Sequence, residues 1–173
     1  MDNSTLPAGS FLRPAQLADV PLLLEFIRKL AAYEKLSDRV KTTAGDLRAH
    51  LFGPRPYAEA ILIEADGVPV GFALFFHNYS TFAGKPGLFL EDVFVDPEYR
   101  GRGLGRAVMV HLARLAVTRG CARFEWSVLD WNAPSIAFYK GLGAVPLHEW
   151  TGYRLDGDAL RALAGRTEGN GRL

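Results

Sequence analysis

The chain has 173 residues, of which 49% are hydrophobic and 12% aromatic, which is enough apolar material for one domain with a sizeable core. Its 20 basic and 19 acidic residues nearly cancel, which argues against a nucleic-acid partner and against binding to a membrane surface. A single cysteine, Cys121, excludes an internal disulfide, and no apolar run approaches the roughly 18 residues needed to span a bilayer. We therefore expect a cytoplasmic protein with no membrane contact.

The first part of the chain predicts two helices followed by a β-hairpin. Residues 1–10 are polar with glycine and proline, and we expect them to form a disordered arm. Apolar residues at helical spacing predict a long helix, and Thr43 with Asp46 indicates the start of a second one. The turn residues Asp66 and Gly67 lie between two β-rich runs. The predicted strand, two helices and two strands are Phe11–Arg13, Ala18–Tyr33, Thr43–Leu51, Ala58–Glu64 and Val68–Tyr79.

The second part predicts a β–α–β unit followed by short elements. These are Leu88–Val95 (strand), Ala107–Thr118 (helix), Phe124–Leu129 (strand), Asn132–Leu142 (helix), Val145–Trp150 and Tyr153–Leu155 (strands) and Asp158–Ala164 (a last helical turn). Hairpins that lead into one crossover predict an α/β (α+β) single domain over 11–164. We expect a mixed, mostly antiparallel sheet of six to seven strands with helices on both faces, followed by a flexible tail at 165–173.

Residues 96–106 join the Leu88–Val95 strand to the next helix, and every second residue from 101 to 105 is glycine. Glycine lets the backbone fold around a ligand, and N–H groups at a helix start suit a phosphate or pyrophosphate. Arg100, Arg102 and Arg106 add positive charge. The alternative, a tight turn, needs only one glycine. The nucleoside triphosphate motif is absent, and Arg106 stands where a dinucleotide motif has its third glycine.

Two motifs resemble those of the GNAT superfamily of N-acetyltransferases. Residues 100–105 fit its signature [QR]-x-x-G-x-[GA] at a strand–helix junction, and residues 131–143 are similar to its N-x-x-[SA]-x-x-[FL]-Y helix. The resemblance extends over most of the chain, and three further segments look like the diamine acetyltransferase branch: Ala32–Asp38, Phe89–Asp92 and Val128–Asn132. It implies a GNAT-like fold, acetyl-CoA as the co-substrate, no metal, and a homodimer.

The resemblance also implies a coenzyme A site. The backbone of Val93, Phe94 and Val95 should bind the pantetheine arm like an added strand, with an N–H directed at the thioester oxygen. The amides from Gly101 to Arg106, which include Arg102, Gly103, Leu104 and Gly105, should bind the pyrophosphate beside Arg100. Asn132 and Ser135 are expected to contact coenzyme A as well, although Asn132 also has a sufficient role as a helix N-cap.

Two catalytic roles follow from the resemblance. Tyr139 is expected to donate a proton to the departing thiolate, since a phenol with a pKa of about 10 is protonated at neutral pH and a thiol has a pKa of about 8.5. The alternative is a core aromatic on the same helix. Glu91 is expected to be the amine-side carboxylate and to accept the ammonium proton through water. Strand alternation places Asp92 on the opposite face, where a salt bridge is the alternative to substrate binding.

The substrate side is expected to include Tyr33 and Glu34, with Glu91 and Asp92. Glu34 could hold the far charge of a diamine or an amino acid, although a carboxylate at a helix end is often only solvated. Residues 125–127 match substrate contacts of the family by position alone. Polyamine enzymes carry paired acids where this chain has Ser37 and Asp38, so the sequence favours a shorter amine or thialysine over spermidine.

Three functions therefore compete. The first is acetyl transfer from acetyl-CoA to a small primary amine by direct attack in a ternary complex. The second moves the same chemistry to a protein amine, and the third is a non-catalytic acyl-CoA sensor, which would not need Tyr139 as an acid. The four histidines show no metal-ligand spacing, and Cys121 is expected to be buried rather than nucleophilic.

Overall fold

The computed structural model describes residues 6–166. The first five residues of the predicted arm and residues 167–173 of the predicted tail lie outside the described residues. The chain forms two compact units, which divide after Ser127. We refer to residues 6–127 as the first unit and to residues 128–166 as the second unit. A single domain over 11–164 stays a prediction.

The first unit is built on a five-stranded sheet with the order β1-β2-β3-β4-β5. Neighbouring strands are antiparallel, except that β4 and β5 are parallel. The strands are β1 (Ser10–Pro14), β2 (Glu59–Ala65), β3 (Val68–Ser80), β4 (Lys85–Val95) and β5 (Phe124–Trp126). The prediction of a mixed, mostly antiparallel sheet is thus confirmed. The prediction of six to seven strands is wrong, because the described chain has five.

The turn between β2 and β3 has the geometry that its sequence predicts. Asp66 has φ 54° and Gly67 has φ 78°, so both central residues are left-handed, as a type I′ hairpin turn requires. β3 then pairs with β4 from Gly71 opposite Val95 to Ser80 opposite Lys85. The result is a long hairpin whose β4 end leads into residues 96–103, which we call the glycine-rich loop.

Three α-helices belong to the first unit: α1 (Val20–Tyr33), α2 (Ala44–Phe52) and α3 (Leu104–Thr118). α2 begins at a capping box, because Thr43 Oγ1 accepts from the Asp46 N–H and Asp46 Oδ2 accepts from the Thr43 N–H. α3 starts three residues before the predicted Ala107, so the end of the glycine run is its first turn. Across residues 6–166, none of the helices combines the length and the apolar content needed to cross a bilayer.

The helices cover both faces of the sheet. On one face, α1 and α2 pack on Leu62, Phe72 and Phe94, which lie opposite one another on β2, β3 and β4. The Phe26 ring of α1 stacks on Phe72 with centroids 6.2 Å apart. Ile63 points to the other face and is also fully buried. α3 covers that side and packs against β4 and β5.

The second unit contains α4 (Ala133–Gly141) and α5 (Gly157–Ala164). The strands predicted at Val145–Trp150 and Tyr153–Leu155 are wrong, because residues 144–156 are irregular in the structure. β-rich composition makes a strand only where a neighbouring strand supplies the backbone hydrogen bonds. Trp150 and Tyr153 are 74% and 95% exposed, so these apolar residues do not form a sheet face in the described chain.

Candidate active site

The glycine-rich loop has a backbone that only glycine adopts without strain. Gly101 has φ 75° and Gly103 has φ 86°, both in the left-handed region. Gly103 is the N-cap of α3 and provides no side-chain cap, and the first turn of α3 holds no acidic residue. Among residues 6–166, the N–H groups at the start of α3 therefore have no side-chain cap, and the positive end of the helix dipole lies behind them. This combination suits a bound anion.

Two of the three predicted loop arginines are engaged by the protein itself. The Arg100 Nε donates to the Val95 carbonyl at 2.8 Å, and its guanidinium carbon lies 4.7 Å from the Tyr33 ring centroid. Arg102 stays within the loop, with its guanidinium carbon 4.9 Å from the Tyr99 ring centroid. Arg106 is exposed in the first turn of α3. Arg100 is thus bound to the end of β4 and to the end of α1.

At the carboxyl end of β4, one edge has no partner strand within residues 6–127, and we call it the open edge. β3 pairs with Val93, Phe94 and Val95 on one side. On the other side β5 pairs only with Leu88–Leu90, and in the first unit no strand continues that ladder towards Val95. β5 ends at Trp126, three residues earlier than the sequence predicts. The open edge runs directly into the glycine-rich loop, so an extended ligand could add to β4 there.

A β-bulge interrupts β4 between Leu88–Leu90, which pair with β5, and the open edge at Val93–Val95. Leu74 lies opposite Asp92 and Phe75 lies opposite Leu90, which leaves Glu91 as the extra residue. The prediction that Glu91 and Asp92 occupy opposite faces relied on unbroken alternation, and the bulge removes that premise. Glu91 is exposed and Asp92 is half-buried. The sequence carried no signal for the bulge, because a bulge depends on the register with β3.

Glu34, Glu91 and Asp92 form an acidic cluster, although Glu34 is far from the other two in sequence. Burial, with added repulsion from Glu91 and Glu34, raises the pKa of Asp92 to about 6. Burial also raises the pKa of Glu34. In the described chain Asp92 makes no ion pair, so the alternative of a strand-edge salt bridge is not observed. A cation bound here would relieve the repulsion that Glu91 and Glu34 exert on Asp92.

The Glu125 carboxylate already has two side-chain partners. Its Oε2 accepts from Asn78 Nδ2 at 3.0 Å and lies 2.8 Å from Arg123 Nε. Asn78 reaches it over Gly87, where an added Cβ would lie 2.3 Å from Asn78 Oδ1. These partners give Glu125 a structural role at the β4–β5 pairing. The positional match of residues 125–127 to substrate contacts therefore receives no support at this residue.

The remaining predicted site residues lie in the second unit. Asn132 is the N-cap of α4, and its Oδ1 accepts from the Ser135 N–H at 3.3 Å, as its capping role predicts. Tyr139 lies on α4 with its ring centroid 5.3 Å from that of Phe138. Its backbone carbonyl accepts from Leu142 and Ala144 as the helix ends. The catalytic role of Tyr139 stays a prediction.

Residues 25–144 match the Acetyltransferase (GNAT) family, which is more than half of the chain. The chain belongs to the GNAT acetyltransferase family. A thialysine N-epsilon-acetyltransferase of Sus scrofa is 41% identical over 170 residues, covering 92% of this chain and 99% of that protein. An L-ornithine N5-acetyltransferase of Arabidopsis thaliana is 31% identical, covering 92% of this chain and 91% of the relative. These relatives support the diamine acetyltransferase branch of the GNAT family.

The fold of this GNAT enzyme is also found among solved structures. An integron cassette protein from the mobile metagenome of V. cholerae has a TM-score of 0.78 to this chain at 25% sequence identity, covering 91% of this chain and 99% of the other. In this fold the first unit brings the glycine-rich loop, the open β4 edge and the acidic cluster together. Sequence reasoning missed the Arg100–Tyr33 contact, for which the sequence carries no local signal.

Proposed function

We propose that this GNAT acetyltransferase transfers an acetyl group from acetyl-CoA to a primary amine of a small diamine or amino-acid-like substrate, of the thialysine type. Transfer is by direct attack in a ternary complex. The acidic cluster of Glu34, Glu91 and Asp92 is the observation that carries the proposal, because the charge of Asp92, which burial and the nearby Glu91 and Glu34 disfavour, is suited to binding a small cation. The similarity to thialysine and ornithine acetyltransferases over nearly the whole chain supports the same substrate class.

The residues of the first unit fit coenzyme A. The uncapped N–H groups at the start of α3 suit its diphosphate, and the two left-handed glycines keep side chains away from it. The open edge of Val93–Val95 suits the amide groups of the pantetheine arm. When bound, acetyl-CoA supplies an activated acyl thioester. Asn132 and Ser135 are further proposed contacts.

The side chains have distinct proposed roles. Glu91, exposed at the bulge, attracts the amine and accepts its proton through water. Asp92 and Glu34 hold the charges of the substrate, and Tyr33 forms part of the same end of α1. A lysine-like ammonium has a pKa of about 10.4, so a nearby proton acceptor is needed before the amine can attack. Tyr139 donates a proton to the thiolate that leaves. Cys121 has no role in this direct transfer.

A panel of amines tests the substrate class by release of free thiol from acetyl-CoA. We expect thialysine and ornithine to be acetylated with a kcat/KM at least about tenfold higher than that of spermidine, because the extra acids of polyamine enzymes are absent here. Lysine, putrescine and lysine-containing peptides complete the panel. Preference for the peptides would contradict the small-amine proposal. No thiol release with any amine would favour the sensor.

A pair of glycine substitutions tests the loop. Gly101 and Gly120 both have left-handed φ, 75° and 70°, and an added Cβ has no neighbour within 4 Å at either position. Each alanine variant should lose about 1 kcal/mol of stability from the same backbone strain. Only Gly101→Ala should also weaken coenzyme A binding, by about tenfold in calorimetric Kd, because only that strain acts on the ligand-bound loop. Equal Kd values for the two variants would exclude the loop as the diphosphate site.

The proposal includes a homodimer. Large apolar side chains of the second unit are exposed, including Val145, Leu147, Trp150, Tyr153 and Leu155. Several large apolar side chains exposed within one short segment are typical of a surface that another chain covers.

A further inference from the structure

The segment between β4 and α3 is attached to α1 at two points. Lys29 Nζ lies 3.1 Å from Asp96 Oδ2, at the start of the segment. Arg100, four residues further along, places its guanidinium over Tyr33. Lys29 and Tyr33 are four residues apart and therefore share one face of α1. The same helix face thus contacts the glycine-rich loop at Asp96 and again at Arg100.

Arg100 connects three parts of the first unit. Its Nε donates to the Val95 carbonyl at 2.8 Å, at the end of the open β4 edge. Its guanidinium carbon is 4.7 Å from the Tyr33 ring centroid and 5.7 Å from that of Phe94. The next residue is Gly101, the first left-handed glycine of the loop. If the loop backbone changes at Gly101, the change therefore acts next to Arg100, whose side chain contacts α1.

Tyr33 is joined in turn to the acidic cluster. It is the last residue of α1, and Glu34 follows it as the C-cap. The turn is closed by the Leu36 N–H, which donates to the Ala31 carbonyl at 2.8 Å. This bond encloses Tyr33 and Glu34 in one turn of backbone, so the two residues are expected to move together. The position of the Tyr33 ring consequently bears on the position of the Glu34 carboxylate.

We propose that Arg100 is a positioning residue that couples coenzyme A binding at the glycine-rich loop to the position of Tyr33 and Glu34. The inference rests on the proposed function for the identity of the two ligands. A loop held by a diphosphate restrains Arg100, and Arg100 restrains the end of α1 through the stacked ring. Coupling between sites is reciprocal, so the amine and coenzyme A favour each other's binding. The competing role for Arg100 is a direct one, in which its positive charge attracts the bound diphosphate.

Arg102 provides a matched control. It lies in the same loop and carries the same charge, but its stacking partner Tyr99 and its carbonyl acceptor Glu98 both belong to the loop itself. Loss of either arginine removes one positive charge near the diphosphate. Only the loss of Arg100 also removes a contact with α1, the one with Tyr33. The two alanine variants therefore separate coupling from charge.

Hydrogen exchange of the backbone amides at residues 30–36 is the first measurement, with and without coenzyme A at a concentration that saturates each variant. In the wild type and in Arg102→Ala, coenzyme A should slow exchange at these amides. In Arg100→Ala the protection should be lost, and Arg100→Lys should restore it only in part because an ammonium lacks the planar stack. Tyr33→Leu should lose the protection as well, whereas Tyr33→Phe, which keeps the ring, should retain it.

Steady-state kinetics is the second measurement. In Arg100→Ala, the KM for the amine at saturating acetyl-CoA should rise about tenfold, by far more than kcat falls. The double variant Arg100→Ala/Tyr33→Leu should be no worse than either single variant, since both break one connection. The proposal would be overturned if coenzyme A protected residues 30–36 equally in Arg100→Ala and Arg102→Ala. It would also be overturned if Arg100→Ala raised only the KM for acetyl-CoA. A wild type that acetylates no amine would refute the proposed function instead, and the exchange experiment would still decide the coupling.

Discussion

Replacing Tyr139 with phenylalanine is expected to lower kcat by roughly 10²-fold or more, the usual size of a general-acid contribution. The substitution removes one hydroxyl and keeps the ring that lies beside Phe138 on α4. Packing is therefore preserved, and the stability of the variant should stay close to that of the wild type. The thiolate would then have to leave without a proton from the protein. The rate of free-thiol release at saturating substrates measures the effect.

The pH profile adds a readout that a packing role would not change. In the wild type, kcat should fall at high pH as the essential acid loses its proton, and Tyr139→Phe should lack this basic limb. Tyr79→Phe is the control, because Tyr79 is 63% exposed on β3 and its hydroxyl has no proposed role. Wild-type kcat in Tyr139→Phe would show that the general-acid assignment is wrong. It would also remove the main distinction from an acyl-CoA sensor.

Replacing Asp92 with asparagine is expected to make the free protein more stable at pH 8 and the enzyme less active. The pKa of Asp92 is about 6 in the folded protein, above the value near 3.9 of an unfolded chain. A raised carboxyl pKa means that the folded state holds the proton more tightly. The associated stability is present below about pH 4 and is lost as the pH rises through about 6. Above that pH the ionised Asp92 destabilises the fold.

Urea unfolding at pH 8 and pH 4 measures this effect. Asp92→Asn should gain about 1–3 kcal/mol at pH 8, following about 1.4 kcal/mol for each pKa unit, and little at pH 4. Activity should move in the opposite direction, with an amine KM at least about tenfold higher and no acid limb near pH 6 in kcat/KM. Asp38→Asn, an exposed acid after α1, should change neither property. A variant destabilised at pH 8 would contradict the argument that the half-buried charge of Asp92 is costly.

Several elements could be predicted from neighbouring residues alone. Thr43 with Asp46 predicts the start of α2, Asn132 predicts the start of α4, and Asp66 with Gly67 predicts the hairpin turn. In each case the deciding interaction spans about four residues, so the sequence contains both partners side by side. The strands predicted over 145–155 show the opposite case. Their composition suits a strand, but pairing depends on a distant neighbour, and the described chain provides none.

The candidate site also has features that the local sequence predicts and features that depend on distant residues. By itself, the sequence determined the glycine-rich loop at a strand–helix junction and the membership in a family with a known fold, because motif residues lie close together along the chain. Only the tertiary structure decided that Glu91 forms a bulge, that Asp92 is half-buried near Glu34, and that Arg100 lies over the ring of Tyr33. Each of these depends on the register and packing of segments far apart in sequence, which no local pattern encodes.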